Sequence, residues 1–246
     1  MIIILQTKVD STDYFLASHT ILDWAKSERS CYVCAANVHM LMEAHDSPSF
    51  NAVVNSADLV TPDGMPLVWM MRLKGQKDQQ RVYGPTLMLH VLDVAARGAV
   101  PVGFYGSSPE VLQMLVEQMQ TRFPSLKIAY SFSPPFSDLT AEEDLDVAQT
   151  INASGARILF IGLGCPKQEK WMADHRGKIN AVMLGVGAGF DFHAGLKSQA
   201  PAWMQRAGLE WLYRLFTEPR RLWRRYLYHN PRFVFFAVLD LLGVLK

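Results

Sequence analysis

Short apolar runs alternate with longer stretches of helical periodicity along most of the chain. This alternation predicts strands joined by helical crossovers, a pattern typical of a mostly parallel sheet flanked by helices. Strands are predicted at 31–36, 57–60, 101–106, 127–132, 156–163 and 181–187. Helices are predicted at 12–27, 38–55 in one or two pieces, 64–73, 85–97, 108–122, 140–153 and 166–177. We therefore expect an α/β, Rossmann-like fold.

The segment 201–246 has a different character. It predicts two or three helices broken at Pro219 and Pro231, and it carries eight Lys and Arg against three Asp and Glu, a net charge of +5. Arginines interleaved with aromatic residues suit an anionic membrane surface, a pyrophosphate, or both, whereas the alternative is a surface helix with solvated arginines. We predict a Rossmann-like domain at 1–195 and a helical, membrane-associating appendage at 196–246.

Composition and charge narrow the class of protein. The 246 residues include 24 Lys and Arg and 23 Asp and Glu, a balance that excludes a disordered chain and a nucleic-acid binder driven by overall charge. Three cysteines cannot build a disulfide framework, and Cys31 and Cys34 lie in an apolar run, so we expect buried reduced thiols. The start, MIIIL, lacks the features of a secretion signal, and we expect a cytoplasmic protein.

Polar residues follow two of the predicted strands. In an open parallel sheet, ligands bind beyond the carboxyl ends of the strands. Asn37 follows the first predicted strand and either caps the next helix or belongs to a site. Asp63, held in the sequence TPDGMP, is either a helix N-cap or a general base that takes a proton from an acceptor hydroxyl.

Two glycine-containing turns are candidates for anion binding. Tyr105, Gly106 and Ser107 enter a helix, where backbone N–H groups can bind a phosphate, although many such turns bind nothing. In the turn from Gly164 to Glu169, Lys167 and Gln168 can bracket a diphosphate or a ribose. Neither turn is a P-loop or a dinucleotide fingerprint, which disfavours an oxidoreductase.

The sequence offers little evidence for a metal. Asp144 and Asp146 resemble a metal-binding D-x-D motif but lie in an acidic predicted helix, where a solvated face explains them. The seven histidines show no metal-ligand spacing along the chain. We therefore expect no metal and no cofactor.

An ordered set of motifs carries a family resemblance. TPDGMPLVW, RVYGP, FYGSSPEV, GLGCPKQEKW, GVGAGFD and GLEWLYRLF-x-EPRR resemble, in this order, the WecG/TagA/CpsF glycosyltransferase family over about residues 30–226. The resemblance implies a bacterial inverting, metal-independent transferase. Such an enzyme moves a sugar from a UDP-sugar to a polyprenyl-diphosphate-linked acceptor, peripherally bound at the inner face of the cytoplasmic membrane, in cell-surface polysaccharide biosynthesis.

The resemblance also implies roles for individual residues. Asp63 matches the catalytic base, Arg81 a basic residue at the edge of the site, and Gln168 a polar residue near the donor. Asn37 matches the Asn after the early strand, and the tail arginines that close over the donor diphosphate match Arg214, Arg221 and Arg224. Ala35 stands where transferases of N-acetylmannosamine tend to carry Thr, so the donor sugar stays open among N-acetylmannosamine, mannosaminuronate, glucose and glucuronate types.

A second interpretation is a protein that binds its ligand but has no catalytic activity. A UDP-sugar-binding scaffold or sensor of a polysaccharide assembly complex would need only the glycine turns and the tail. A carboxylate such as Asp63 beside a nucleotide's negative charge argues against it, since binding alone does not call for one. The sequence leaves homo-oligomerisation open.

Overall fold

The computed structural model describes residues 1–135, 137 and 139–244. Its strands are β1 (Ile2–Ile4), β2 (Thr7–Val9), β3 (Cys31–Ala36), β4 (Leu59–Pro62), β5 (Val102–Gly106), β6 (Ile128–Phe132), β7 (Ile158–Gly162) and β8 (Val182–Gly185). Its helices are α1 (Tyr14–Lys26), α2 (Val38–Asp46), α3 (Pro48–Asn55), α4 (Met65–Leu73), α5 (Gly84–Arg97), α6 (Pro109–Arg122), α7 (Ala141–Ser154), α8 (Lys167–Asp174), α9 (Gly189–His193), α10 (Ala202–Arg206), α11 (Glu210–Thr217) and α12 (Pro219–Leu241).

Strands β3 to β8 form one sheet in the order β4-β3-β8-β7-β5-β6. The pairings of β3 with β8, β8 with β7, β7 with β5 and β5 with β6 are parallel. The side chains of β3, β5 and β8 are all buried, as a sheet covered by helices on both faces requires. This architecture confirms the predicted α/β fold.

The predicted strands and helices are present, with shifted ends. The strand predicted at 57–60 lies at Leu59–Pro62 instead, and the Pro62 carbonyl at its end accepts a hydrogen bond from Val82 N–H at 2.9 Å. The antiparallel hairpin of β1 and β2 was not predicted. Its turn places Leu5 and Gln6 at positive φ (47° and 65°), without the glycine or asparagine that normally signals such a turn.

The chain divides into two compact units. One unit comprises Met1–Asp13, Ala35–Tyr83 and Ser198–Lys246, and therefore holds the hairpin, α2 to α4, β4 and the C-terminal helices. The other comprises Tyr14–Cys34 and Gly84–Lys197, and holds β5 to β8 with α1 and α5 to α9. We call them the first and second units. The predicted domain boundary after residue 195 stays a prediction.

The C-terminal helices pack within the first unit. The predicted break at Pro231 is wrong, since α12 runs through this proline. The buried side chains of His229 and Phe233 on either side hold the helix together across the hydrogen bond that proline cannot donate. Near its end, Asp240 accepts hydrogen bonds from Lys74 Nζ at 2.8 Å and from the Leu5 backbone N–H at 3.2 Å.

Two further expectations concern cysteines and membrane helices. Cys31 and Cys34 are buried and are not in disulfides, as predicted. Within the described residues, no helix combines the length and the apolar character that crossing a membrane requires.

Candidate active site

The loop that carries Asp63 is bound to the end of β3. The backbone N–H groups of Asp63 and Gly64 both donate to the Ala36 carbonyl, at 2.8 and 3.1 Å. A Cβ at Gly64 would lie 3.3 Å from Asn37 Cα, which is a tight contact, so glycine suits this close approach. Gly64 is also the N-cap of α4, and so the alternative interpretation of Asp63 as that N-cap is wrong.

Two side chains of the first unit contact the Asp63 carboxylate. Asn37 Nδ2 donates to Oδ2 at 3.4 Å, and Arg81 Nη2 lies 3.5 Å from Oδ1. Arg81 Nε also donates to the Asp63 backbone carbonyl, which fixes the guanidinium beside the loop. The Asp63 side chain is 13% exposed. The carboxylate is thus mostly buried and lies within reach of an amide and a guanidinium.

Asn37 combines the two roles that the sequence left open. Its Oδ1 caps α2 by accepting from Met40 N–H at 3.2 Å, while its Nδ2 faces Asp63. The cap therefore fixes the orientation of the amide group, and the amide donates to the carboxylate.

Arg81 lies between two carboxylates and a buried phenol. Its Nη2 donates to Glu210 Oε2 at 2.6 Å, and its guanidinium carbon lies 4.1 Å from the ring centre of Tyr83. Burial disfavours the charged guanidinium, but Asp63 and Glu210 outweigh burial and raise the pKa of Arg81. Burial, together with the same carboxylates, holds the pKa of Tyr83 well above its usual value. Arg81 is therefore charged and Tyr83 neutral at physiological pH.

These residues line a cavity of about 520 Å³ within the first unit. The polar groups on its wall include Asn37, Asp63, Arg81, Tyr83, Glu210, Arg214, Arg225 and Tyr226. The apolar groups include Trp69, Leu73, Phe233, Val234, Ala237, Val238 and Leu241. Arg225 and Leu241 are 16 residues apart on α12, or about 24 Å along the helix axis. The cavity thus has a cationic end near Asp63 and an apolar end.

Four arginines near the break between α11 and α12 differ in position. Arg214 and Arg225 line the cavity. Arg221 is exposed and pairs with Glu218 at 2.7 Å, and Arg224 is exposed with its guanidinium 5.2 Å from the Trp223 ring. The roles that the family resemblance implies for Arg221 and Arg224 thus concern side chains outside the cavity lining.

The first glycine turn lies in the second unit, after β5. Gly106 has φ +122°, and a Cβ there would lie 2.7 Å from the Gly162 backbone, so only glycine fits. Ser107 adopts φ +63° and donates its N–H to the Gly162 carbonyl at 3.2 Å. Ser108 is the N-cap of α6. Anion binding by this turn stays a prediction.

The second glycine turn also lies in the second unit, between β7 and α8. Gly164 N–H donates to Gln168 Oε1 at 3.2 Å, and Gln168 Nε2 donates to Glu169 Oε1 at 2.7 Å. Gln168 is buried and braces the turn, while Lys167 is exposed. Lys167 and Tyr105 line a cavity of about 170 Å³, in which Trp171 stacks on Tyr105 at 4.5 Å.

Sequence reasoning missed several residues that the fold brings to the larger cavity. Glu210 and Tyr83 lie in the quoted motifs but have no predicted role, and Arg225 lies four residues beyond the last motif. His39 and His229 also line the cavity. The i,i+4 spacing of His39 and Glu43 was the available signal for them.

The comparisons with known proteins agree with the motifs. The model of the family described as "Glycosyl transferase WecG/TagA/CpsF family" matches residues 2–245. A protein of Bacillus spizizenii (strain ATCC 23059 / NRRL B-14472 / W23) is 34% identical over 92% of this chain and 86% of its own length. One of Bacillus subtilis (strain 168) is 31% identical over 79% of this chain and 74% of its own length. Both are named N-acetylglucosaminyldiphosphoundecaprenol N-acetyl-beta-D-mannosaminyltransferase.

A match over nearly the whole chain to a family of transferases also settles the choice between enzyme and scaffold in favour of an enzyme. The chain belongs to the WecG/TagA/CpsF family of glycosyl transferases.

Proposed function

We propose that this glycosyltransferase moves a sugar from a UDP-sugar to a polyprenyl-diphosphate-linked acceptor, with inversion and without a metal in the transfer step. The observation that carries the proposal is the position of Asp63. Its carboxylate lies on the wall of a cavity that has a cationic end and an apolar end, between Asn37 and Arg81. A lipid-linked diphosphate sugar is complementary to this cavity, because it has an anionic diphosphate and an apolar lipid chain.

In the proposed reaction, Asp63 takes the proton of the acceptor hydroxyl as the hydroxyl oxygen attacks the anomeric carbon of the donor. The bond between that carbon and the diphosphate oxygen breaks, and UDP leaves with the electron pair. Attack from the face opposite UDP inverts the anomeric centre. Arg214 and Arg225, which line the cavity, provide positive charge for a diphosphate.

The glycine turns of the second unit are the proposed nucleotide-binding elements. The turns at Tyr105, Gly106 and Ser107, and at Gly164, Lys167 and Gln168, follow the carboxyl ends of β5 and β7, where ligands of open parallel sheets bind. Their backbone N–H groups are suited to a nucleotide diphosphate.

The apolar side chains of the cavity suit the prenyl chain of the acceptor. The two Bacillus relatives are named for an undecaprenol-linked acceptor, which supports the same class of acceptor for this chain. Large apolar side chains on the outside of the C-terminal helices are exposed, among them Trp203, Phe216, Trp223, Leu227 and Phe235. We infer that, with the net positive charge of this segment, they bind the cytoplasmic face of the membrane.

The test is a panel of UDP-sugars with N-acetylmannosamine, N-acetylmannosaminuronic acid, glucose or glucuronic acid, incubated with a short-chain polyprenyl-diphosphate N-acetylglucosamine. We expect UDP release that requires the acceptor and occurs with one donor. Binding of UDP without release from any pair would contradict the proposed reaction. Co-sedimentation with anionic liposomes, lost when Phe216 and Phe235 are both changed to Glu, tests the membrane contact.

A further inference from the structure

Two imidazoles and a carboxylate converge between α2 and α12. His39 and Glu43 lie four residues apart on one face of α2, and His229 reaches them from α12. The Nε2 atoms of His39 and His229 lie 3.6 and 3.4 Å from the same Glu43 Oε1. One ligand-type atom from each residue lies within 4.8 Å of the other two.

Hydrogen bonding within the protein does not explain the cluster. Both Nε2 distances exceed the usual N–H···O range. The Nδ1 atoms of His39 and His229 are buried and, within the described part of the chain, have no hydrogen-bond partner. The His229 side chain is only 9% exposed. Each imidazole thus has its Nε2 atom beside Glu43 and its Nδ1 atom unpaired, and the meeting of both rings at one carboxylate indicates a ligand.

The distances fit a tetrahedral metal ion. Zinc binds histidine nitrogen and carboxylate oxygen at about 2.0–2.2 Å, which separates ligand atoms by about 3.3–3.6 Å in a tetrahedron. The 3.6 and 3.4 Å separations from Glu43 Oε1 match this value, and the ligand-type atoms of the two imidazoles lie within 4.8 Å of each other. Two histidines and one glutamate also form a known zinc ligand set. We propose that His39, Glu43 and His229 bind a divalent transition-metal ion of the zinc type, which ties α12 to α2.

The electrostatic surroundings allow this binding. Burial, Arg225 and His229 lower the pKa of His39 to about 3. The pKa of His229 is also lowered, chiefly by burial. At His229, the negative charge of Glu43 acts against the positive charge of Arg225. The charge of Arg232 is balanced by Asp46, whose Oδ2 lies 2.7 Å from its Nη1.

The proposed ion has a positional role. The Arg232–Asp46 pair already joins α12 to α2, and the ion adds a second connection between the same helices, at the wall of the cavity. It goes beyond the proposed transfer reaction, in which no metal takes part. Its test contains neither donor nor acceptor, and so its outcome is distinguishable from failure of the proposed function.

The test is titration of Zn²⁺ into the full-length protein after removal of metals with a chelator, followed by calorimetry and thermal unfolding. We expect one Zn²⁺ per chain and a Tm higher by about 5–10 °C at 100 times Kd. Glu43→Gln, which keeps the shape of the side chain, and His229→Ala should each raise Kd roughly tenfold or more. His19→Ala, on α1 outside the cluster, should leave Kd unchanged.

Circular dichroism of the metal-free variants checks their folding, and Glu43→Gln alone decides the matter if His229→Ala does not fold. Absence of stoichiometric binding would overturn the proposal. Binding with the same Kd in the cluster variants as in the wild type would overturn it too, because the ion would then lie elsewhere.

Discussion

Arg81 joins Glu210 to the proposed catalytic base, since its Nη2 lies 2.6 Å from Glu210 Oε2 and 3.5 Å from Asp63 Oδ1. Glu210 begins α11, in the C-terminal part of the first unit. The carboxylate of Glu210 therefore competes with that of Asp63 for the positive charge of one guanidinium. This relationship gives the C-terminal segment a positioning role in addition to the binding role inferred for its arginines.

Glu210→Gln should weaken the base without removing it. With the charge at 210 gone, Arg81 faces Asp63 alone and stabilises its ionised form, so Asp63 holds a proton less readily. We expect kcat to fall by about threefold to tenfold and the acidic limb of the pH profile to move to lower pH. Glu218→Gln is the matched control, since Glu218 pairs with the exposed Arg221. An unchanged kcat and pH profile would show that Glu210 does not act through Arg81.

Arg225 and Arg224 are adjacent but should behave differently. Arg225 lines the cavity, whereas Arg224 is exposed beside Trp223. Arg225→Gln removes a charge that faces the proposed diphosphate, and a hydrogen bond to a charged group contributes about 1.5–3 kcal/mol. The inhibition constant of UDP should rise by about tenfold to 100-fold in this variant and by less than about twofold in Arg224→Gln. A larger rise of this constant in Arg224→Gln than in Arg225→Gln would favour the role in diphosphate binding that the family resemblance implies for Arg224.

The apolar end of the cavity should make the KM of an acceptor depend on its lipid chain. Val234 lines the cavity from α12 and is 62% exposed, so Val234→Glu fits without overpacking. We expect the KM of a long-chain acceptor to rise about tenfold, because a charge then meets the prenyl chain. The KM of a water-soluble analogue with a minimal lipid should not change. Leu242→Glu, exposed and outside the cavity lining, is the control. Equal effects of the two variants would place the lipid elsewhere.

His193 should make stability depend on pH. Burial lowers its pKa, and its Nε2 lies 2.7 Å from the Pro85 carbonyl, to which a neutral ring donates. The unfolded chain therefore binds more protons below about pH 6.5. The free energy of unfolding should fall as the pH drops from 7 to 5, and His193→Gln should make this fall smaller. Denaturant unfolding at both pH values measures the difference, and an equal fall in both proteins would contradict the assignment.

The sequence predicted the main sheet because continuous apolar runs such as ILFIGLG have few alternatives to a buried parallel strand. It did not predict the N-terminal hairpin, since the turn at Leu5 and Gln6 has no turn-type residue. It also placed a break at Pro231, where packing of His229 and Phe233 overrides the local preference of proline.

The sequence predicted those residues of the candidate site that lie in local motifs. Asp63 and Asn37 follow strands, and this position alone made them candidates. The ion pair between Arg81 and Glu210 joins residues 129 positions apart, which no spacing along the chain reveals. His39 and His229 are separated still further, and only the packing of α12 on α2 brings them to Glu43.

The proposed reaction depends on Asp63 as the base that takes the proton of the acceptor hydroxyl. A comparison of Asp63→Asn with Asp23→Asn tests this role, since Asp23 is an exposed aspartate on α1. Once the donor and acceptor are identified, kcat is measured by UDP release and UDP affinity by calorimetry. We expect Asp63→Asn to lower kcat by about 100-fold or more and to leave the UDP affinity nearly unchanged. Asp23→Asn should have the wild-type kcat and UDP affinity. A near-normal kcat of the Asp63→Asn enzyme would show that Asp63 is not the base.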